Sequence, residues 1–162
     1  MNNRKVYISG EIVPEVDAKI SIFDSAVLLG DTVTESTRTF NFKPFKLDEH
    51  LERLYKSFKL TRIDPQMTIE EMKKVSLELL EINKDNYKAN EDCWLVHNIS
   101  RGHSITGGNP ALQVSKPTVM IYTQPMNLVL WAPFYTKGCH AVTPPTRICL
   151  LYTSDAADDE TS

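Results

Sequence analysis

A guanidinium carries a rigid fork of donors that meets phosphate or carboxylate oxygens two at a time, and two arginines of this sequence come into question for such work. Arg53 lies in DEHLERLYKS beside Leu51, Leu54, Tyr55 and Phe58, a stripe at spacing i, i+3, i+4, i+7. That spacing is one buried face of a helix, which leaves His50, Arg53 and Ser57 along another. On spacing alone, Arg53 is a cation on a solvated face. Arg101 closes CWLVHNISRG, where it is either a site residue or a strand-end arginine paired with a surface acid. Thr34, Ser36 and Arg38 of VTESTRTF fall on one polar strand face, because strand side chains alternate with a period of two. Metal chemistry would have to use Cys93, His97 and His103. The sequence has no Cys-x-x-Cys pair or comparable cluster, so no metal is expected and Cys93 and His97 read as buried strand residues.

The elements that must position these residues follow from local pattern. Residues 5–9 and 11–13 flank Gly10, a hairpin that turns on glycine's freedom at positive φ. Residues 17–23, with alternating Ile20 and Ile22, read as a strand, and 24–31 as a buried loop. Residues 33–40 are rich in Thr, Val and Phe, types that suit a pleated strand. Asn41 permits a turn, 42–47 returns as a short edge strand around Pro44, and Asp48 is expected to accept from the first free amides of the Arg53 helix. Asp64-Pro65 breaks that helix, and Thr68 with Glu71 forms a capping box for a second, whose Ile69, Met72, Val75, Leu79 and Ile82 keep helical spacing. Residues 83–91 form a polar connection, 93–102 a strand, 103–110 a loop that could cover a pocket, and 116–123 the last strand of a first domain. A linker over 124–138 and the first strand of a second domain over 139–147 follow, the strand itself at 139–143. The fold class is α+β.

GDTVTES, the hairpin after it and LDEHLERLYKS together resemble the pyridoxal-phosphate-dependent class IV (fold-type IV) aminotransferases, from about residue 6 to about residue 147. That group holds branched-chain aminotransferases, D-amino-acid transaminases, (R)-selective amine transaminases and aminodeoxychorismate lyases. The resemblance implies a small N-terminal α+β domain over 1–123, an antiparallel sheet with two helices, followed by the start of a second domain. It implies pyridoxal 5'-phosphate as cofactor, an amino acid and a 2-oxo acid as substrates, and a homodimer whose site is completed by the neighbouring subunit. It also implies that Arg53 holds the cofactor phosphate. Ser100-Arg101-Gly102 matches a Thr-Arg-Gly segment of D-amino-acid transaminases, which places Arg101 near the cofactor or a substrate carboxylate. Thr34 stands where D-amino-acid transaminases show tyrosine and branched-chain enzymes phenylalanine. With Ser36 and Arg38 beside it, the substrate pocket edge is expected to be polar. STRTFNFKPFKLDEHLERLYKS ranks the branched-chain type first, the D-amino-acid or (R)-amine type next, and a lyase after that. A reading from another class is a non-catalytic α+β domain that binds a protein partner through a strand edge and the aromatic linker.

Transamination in this family runs through a lysine bonded to the cofactor. No lysine follows Lys137, which precedes the strand expected before the catalytic one, so no catalytic residue is named and the chain alone is expected to be inactive. ICLLYTSDAADDETS resembles a translated sequencing-library adapter, and 148–162 is therefore expected to be a non-native tail. Lys and Arg number 18 against 21 acids, for a net charge of −3. Without Cys149 and the residues after it the balance becomes +1, because four acids and no bases are lost. No basic block points to nucleic acid or a membrane surface. No apolar run could span a bilayer and the three cysteines are scattered, so a cytoplasmic protein is expected.

Overall fold

The computed structural model describes residues 3–88, 91–103 and 116–143. Residues through Met126 form one compact unit and those from Asn127 a second. In the first, β1 (Lys5–Ile8) and β2 (Glu11–Pro14) make the expected hairpin, with Gly10 at φ 114°. A short helix α1 (Ser25–Leu29) leads to β3 (Thr32–Phe40) and the two-residue β4 (Lys43–Pro44). Helices α2 (Leu47–Thr61) and α3 (Ile69–Asn83) follow, then β5 (Cys93–Ser100) and β6 (Thr118–Pro125). The sheet order is β2-β1-β6-β5-β3-β4 and every pairing is antiparallel.

One sheet face is covered by α2 and α3. Leu51, Leu54 and Phe58 of α2 and Met72, Leu79 and Leu80 of α3 are buried together with Val33, Leu95, Ile99, Val119 and Ile121 of the strands. The helical stripe and the odd-numbered strand residues are thus the two halves of one core. Thr68 and Glu71 form the capping box at the start of α3. The hairpin turn holds Asn41 and Phe42 at φ 49° and 62°, the left-handed pair that matches strand twist. Asp92 Oδ1 steadies that turn by accepting from the Phe42 amide at 3.1 Å.

Several local expectations differ from the structure. The edge strand expected over 42–47 shrinks to the two residues of β4, because Phe42 belongs to the turn and Leu47 already opens α2. Residues 17–23 form no strand: a 3-10 turn (Glu15–Asp17) is followed by irregular chain, and Ile20, Ile22 and Phe23 stay exposed. Their alternation records no buried face. Residues 24–31 hold the turn-and-a-half of α1, capped by Asp24 and closed by Gly30 at φ 67°. Asp48 is not the cap of α2; Lys46, in a left-handed conformation, occupies that position, and Asp48 lies in the first turn, where its carboxylate meets the amide end of the helix and Lys73 Nζ at 2.6 Å. In the second unit, 128–137 form helix α4 (Leu128–Lys137) with Pro133 inside it, and 139–143 carry no strand. A strand needs a ladder partner, and the described residues offer none there. The expected loop through Gly107 and Gly108 and the stretch after residue 143 lie outside the described residues. No helix among the described residues is long and apolar enough to cross a membrane.

Within the core, His97 is fully buried. Ser76 Oγ stands 2.7 Å from the Met72 carbonyl and 2.8 Å from His97 Nε2. A hydroxyl has one proton: donating it to the carbonyl, Ser76 accepts the Nε2 proton, and Nδ1 remains a bare acceptor with no partner among the described residues. Burial holds the imidazole down to about 4, against 6.5 for a free one. The unfolded chain therefore takes up this proton first as the pH falls. The His97 contribution to stability should be flat above pH 6.5 and decline toward pH 4, by up to about 3 kcal/mol. Denaturant melts of wild type and His97→Gln across that window check this, since the glutamine chain should lose most of the slope.

Candidate functional site

The polar residues gather at one edge of the sheet. β4 pairs with β3 only through Thr39–Pro44 and Phe40–Lys43, so the outer edge of β3 before Arg38 has no strand neighbour among the described residues. The Phe45 amide donates to the Arg38 carbonyl across that edge at 2.8 Å. Residues of the same parity, Thr34 and Ser36, therefore turn their backbone groups outward too.

Glu35 lies on the helix side of β3, only 6% exposed, among Val33, Thr37 and Thr39. Arg53 meets it fork-on, Nε donating to Oε2 at 2.7 Å and Nη2 to Oε1 at 2.6 Å. The Ser36 amide donates to Oε1 at 3.0 Å. His50 Nδ1 is 2.9 Å from the same oxygen, and since an ionised carboxylate only accepts, that nitrogen carries the proton. Burial alone would push the Glu35 carboxyl up. The Arg53 and His50 bonds and the Ser36 amide outweigh it and hold the group below the usual carboxylate range. Arg53 itself leaves 67% of its side chain exposed, and no hydrogen bond from the described residues reaches its Nη1.

Thr34, Ser36 and Arg38 share the opposite face of β3, as their parity requires. Thr34 and Ser36 are exposed, while Arg38 is half-buried with its guanidinium 4.1 Å above the Phe40 ring. The structure thus sets Arg53 on one side of the β3 edge and this polar face on the other.

Arg101 pairs with an acid, as the second of its two readings has it. Its Nε donates to Asp31 Oδ2 at 2.8 Å, its Nη1 to the Arg62 carbonyl at 2.7 Å and its Nη2 to the Thr61 carbonyl at 2.9 Å. It therefore satisfies the last carbonyls of α2 and ties them to the segment before β3. Gly102, at φ 90°, lets the chain pass the residue 116 backbone, since a Cβ there would collide with the Lys116 carbonyl oxygen. Cys93 Sγ is 3.8 Å from Thr39 Oγ1, His97 meets Ser76, and the His103 ring packs edge-on against Phe23.

Sequence reasoning missed two carboxylates. Glu35 is legible in part, as an acid at the inward parity of a strand with a His and an Arg three residues apart on the next helix. Asp24 gives only a local cap signal. It is buried, accepting from the Ala26 amide at 2.9 Å, Ser100 Oγ at 2.6 Å and Thr118 Oγ1 at 2.5 Å, the last two from residues over seventy positions away.

The α+β sheet matches the N-terminal domain of a known class, and the chain belongs to that class. The amino-transferase class IV family matches residues 32–151. A Methanocaldococcus jannaschii protein assigned as a branched-chain-amino-acid aminotransferase is 38% identical over 143 residues, 88% of this chain and 46% of that protein. A D-alanine aminotransferase of Staphylococcus epidermidis is 32% identical over 120 residues, 74% of this chain and 41% of that protein. Among solved structures, a T.th. branched-chain amino acid aminotransferase with pyridoxamine 5'-phosphate superposes with a TM-score of 0.66 at 26% identity, over 77% of this chain and 41% of that one. The Escherichia coli branched-chain enzyme shares the fold, with a TM-score of 0.67 at 24% identity over 76% and 40% of the two chains. The chain spans less than half the length of these relatives.

Because Arg101 bridges a carboxylate and two carbonyls, a lysine cannot replace it. Arg101→Lys should lower stability by about 2 kcal/mol, the scale of charge-assisted bonds lost at a half-buried position. Chemical denaturation should show it, together with faster hydrogen exchange in the last turn of α2.

Proposed function

We propose that this chain is the N-terminal part of a pyridoxal-phosphate-dependent aminotransferase that moves an amino group between an amino acid, of branched-chain type, and a 2-oxo acid. The observation that carries the reading is Arg53: its side edge is bonded to Glu35, and its Nη1 is left without a bonded partner among the described residues. Such a group fits a phosphate monoester. The cofactor, when bound, supplies the electron sink that amino-group transfer needs.

The remaining roles belong to this chain's own side chains. Arg53 would hold the phosphate. Thr34, Ser36 and Arg38 would line the substrate's path on the other face of β3, where the compact Thr34 leaves space for a branched side chain. Arg38 is the cation available there to a substrate carboxylate, since Arg101 is occupied at the end of α2. Arg101 instead acts on the site by holding that helix. No residue of 1–162 is assigned as the catalytic lysine. A homodimer is supported by the exposed Phe23, Val27, Leu28 and Leu29, an apolar surface of the kind that partner subunits cover. The family's D-amino-acid, (R)-amine and lyase chemistries are the nearest alternatives, and the polar Ser36 and Arg38 favour them over a purely apolar pocket. A cytoplasmic setting agrees with the scattered cysteines.

The same exposed surface is also what a non-catalytic interaction domain would show. Extending the chain by its genomic continuation separates the two. The extended protein should hold pyridoxal 5'-phosphate with a visible absorbance band, and Arg53→Ala should weaken that binding at least about tenfold, measured well below its melting transition. A colourless extended protein would favour the interaction domain.

A further inference from the structure

We propose that Glu35 is a positioning residue for anion recognition: it fills the Nε/Nη2 edge of Arg53 so that the guanidinium presents its opposite end to a phosphate monoester. This rests on the reading of Arg53 as the phosphate-holding residue and adds how that residue is aimed.

Three features support it. The first is anchoring. Glu35 is buried on a sheet strand, and its Oε1 accepts from the Ser36 amide at 3.0 Å and stands 2.9 Å from His50 Nδ1. With both oxygens committed, the carboxylate cannot rotate away from its partner. The second is contrast in exposure. An arginine with 67% of its side chain in solvent would ordinarily sample many rotamers, yet here two bonds of 2.7 and 2.6 Å fix the plane of the guanidinium. A side-on fork of this kind uses the Nε–H and one Nη2–H. The remaining hydrogens, on Nη1 and the far side of Nη2, form a second edge that can meet two oxygens of a phosphate.

The third is charge. A carboxylate beside an anion site weakens the raw attraction for an anion, because the Arg53–Glu35 pair is neutral as a unit. A site built for attraction alone would place no acid there. What Glu35 contributes is direction, and direction discriminates phosphate from other anions where net charge does not.

The test follows the Arg53 guanidinium by nitrogen-15 NMR in the 162-residue chain, titrated with pyridoxamine 5'-phosphate and separately with inorganic phosphate. Pyridoxamine phosphate has no aldehyde and so cannot react with surface lysines. Wild type should show a saturable shift of the Arg53 resonances. Glu35→Gln removes the charge and breaks the two-acceptor fork; Glu35→Asp keeps the charge and withdraws it by one methylene. Both should weaken the Arg53 response at least about tenfold, read at a temperature where the backbone amide spectrum shows each variant to be folded. Tighter or equal binding by Glu35→Gln would show Glu35 to be only a competing charge, overturning this inference and leaving the Arg53 reading intact. Absence of any Arg53 shift in wild type with either ligand would overturn that reading and this inference with it. A measurement without variants stands beside these: in ligand-free wild type the Arg53 Nε–H should be as ordered as the α2 backbone, and a freely averaging side chain overturns the proposal even if neither variant folds.

Discussion

A buried carboxylate sets the terms for this domain. Taking a carboxylate out of water costs several kcal/mol unless nearby donors replace the hydration. Glu35 has four such donor contacts, from Arg53 twice, His50 and the Ser36 amide. Two of these residues lie three positions apart on α2, so the helix has to run across the β3 edge with that turn opposite Glu35. Its other side then falls on the sheet, where Leu51, Leu54 and Phe58 are buried. The apolar contacts hold α2 against the sheet without selecting one rotation and one height. The carboxylate selects both.

Distant anchors serve the same end of the structure. Asp24 gathers hydroxyls from the end of β5 and the start of β6 while it caps α1. Arg101 joins the end of β5 to the last carbonyls of α2 and to Asp31 just before β3. Both bind groups far apart in sequence, so β3 enters the sheet from a fixed point and α2 ends at one. The span between them, which carries Thr34, Glu35 and Arg53, is held at both ends. This is what a surface cation needs if it is to present one geometry to a ligand.

What could be read from the sequence divides along the range of the interaction. The Gly10 hairpin, the Thr68–Glu71 capping box and the face parity of β5 depend on residues within a few positions of one another, and each is legible; of the α3 stripe, Met72 and Leu79 are buried while Ile82 is exposed. The stripe of α2 also places Arg53 correctly off the core. Its partner is legible only in part: parity puts Glu35 on the inward face, but nothing local shows that the helix above will pair it. Arg101 shows the same limit: its acceptors are backbone carbonyls some forty residues earlier, which no side-chain pattern reports. The failures at 17–23 and 139–143 have one cause, since alternation and β-branched content describe a strand's surface but not whether a ladder awaits it. Asp48 is misread for a smaller reason. A left-handed Lys46 starts the helix two residues early, so the acid falls in the first turn instead of before it.

The edge of β3 explains why one acid satisfies two demands. An unpaired strand edge offers its amides to any other chain, and proteins protect such edges with charge or with a covering group. Here the inward Glu35 bends its carboxylate to the rim, where Oε1 accepts the outward Ser36 amide. Arg53, drawn to the same carboxylate, brings a cation over that rim. An approaching strand would have to break the Ser36 bond and displace the guanidinium, whereas a small oxyanion need do neither. On the proposed reading of Arg53, the arrangement that closes this edge to a polypeptide is the one that leaves it open to a phosphate.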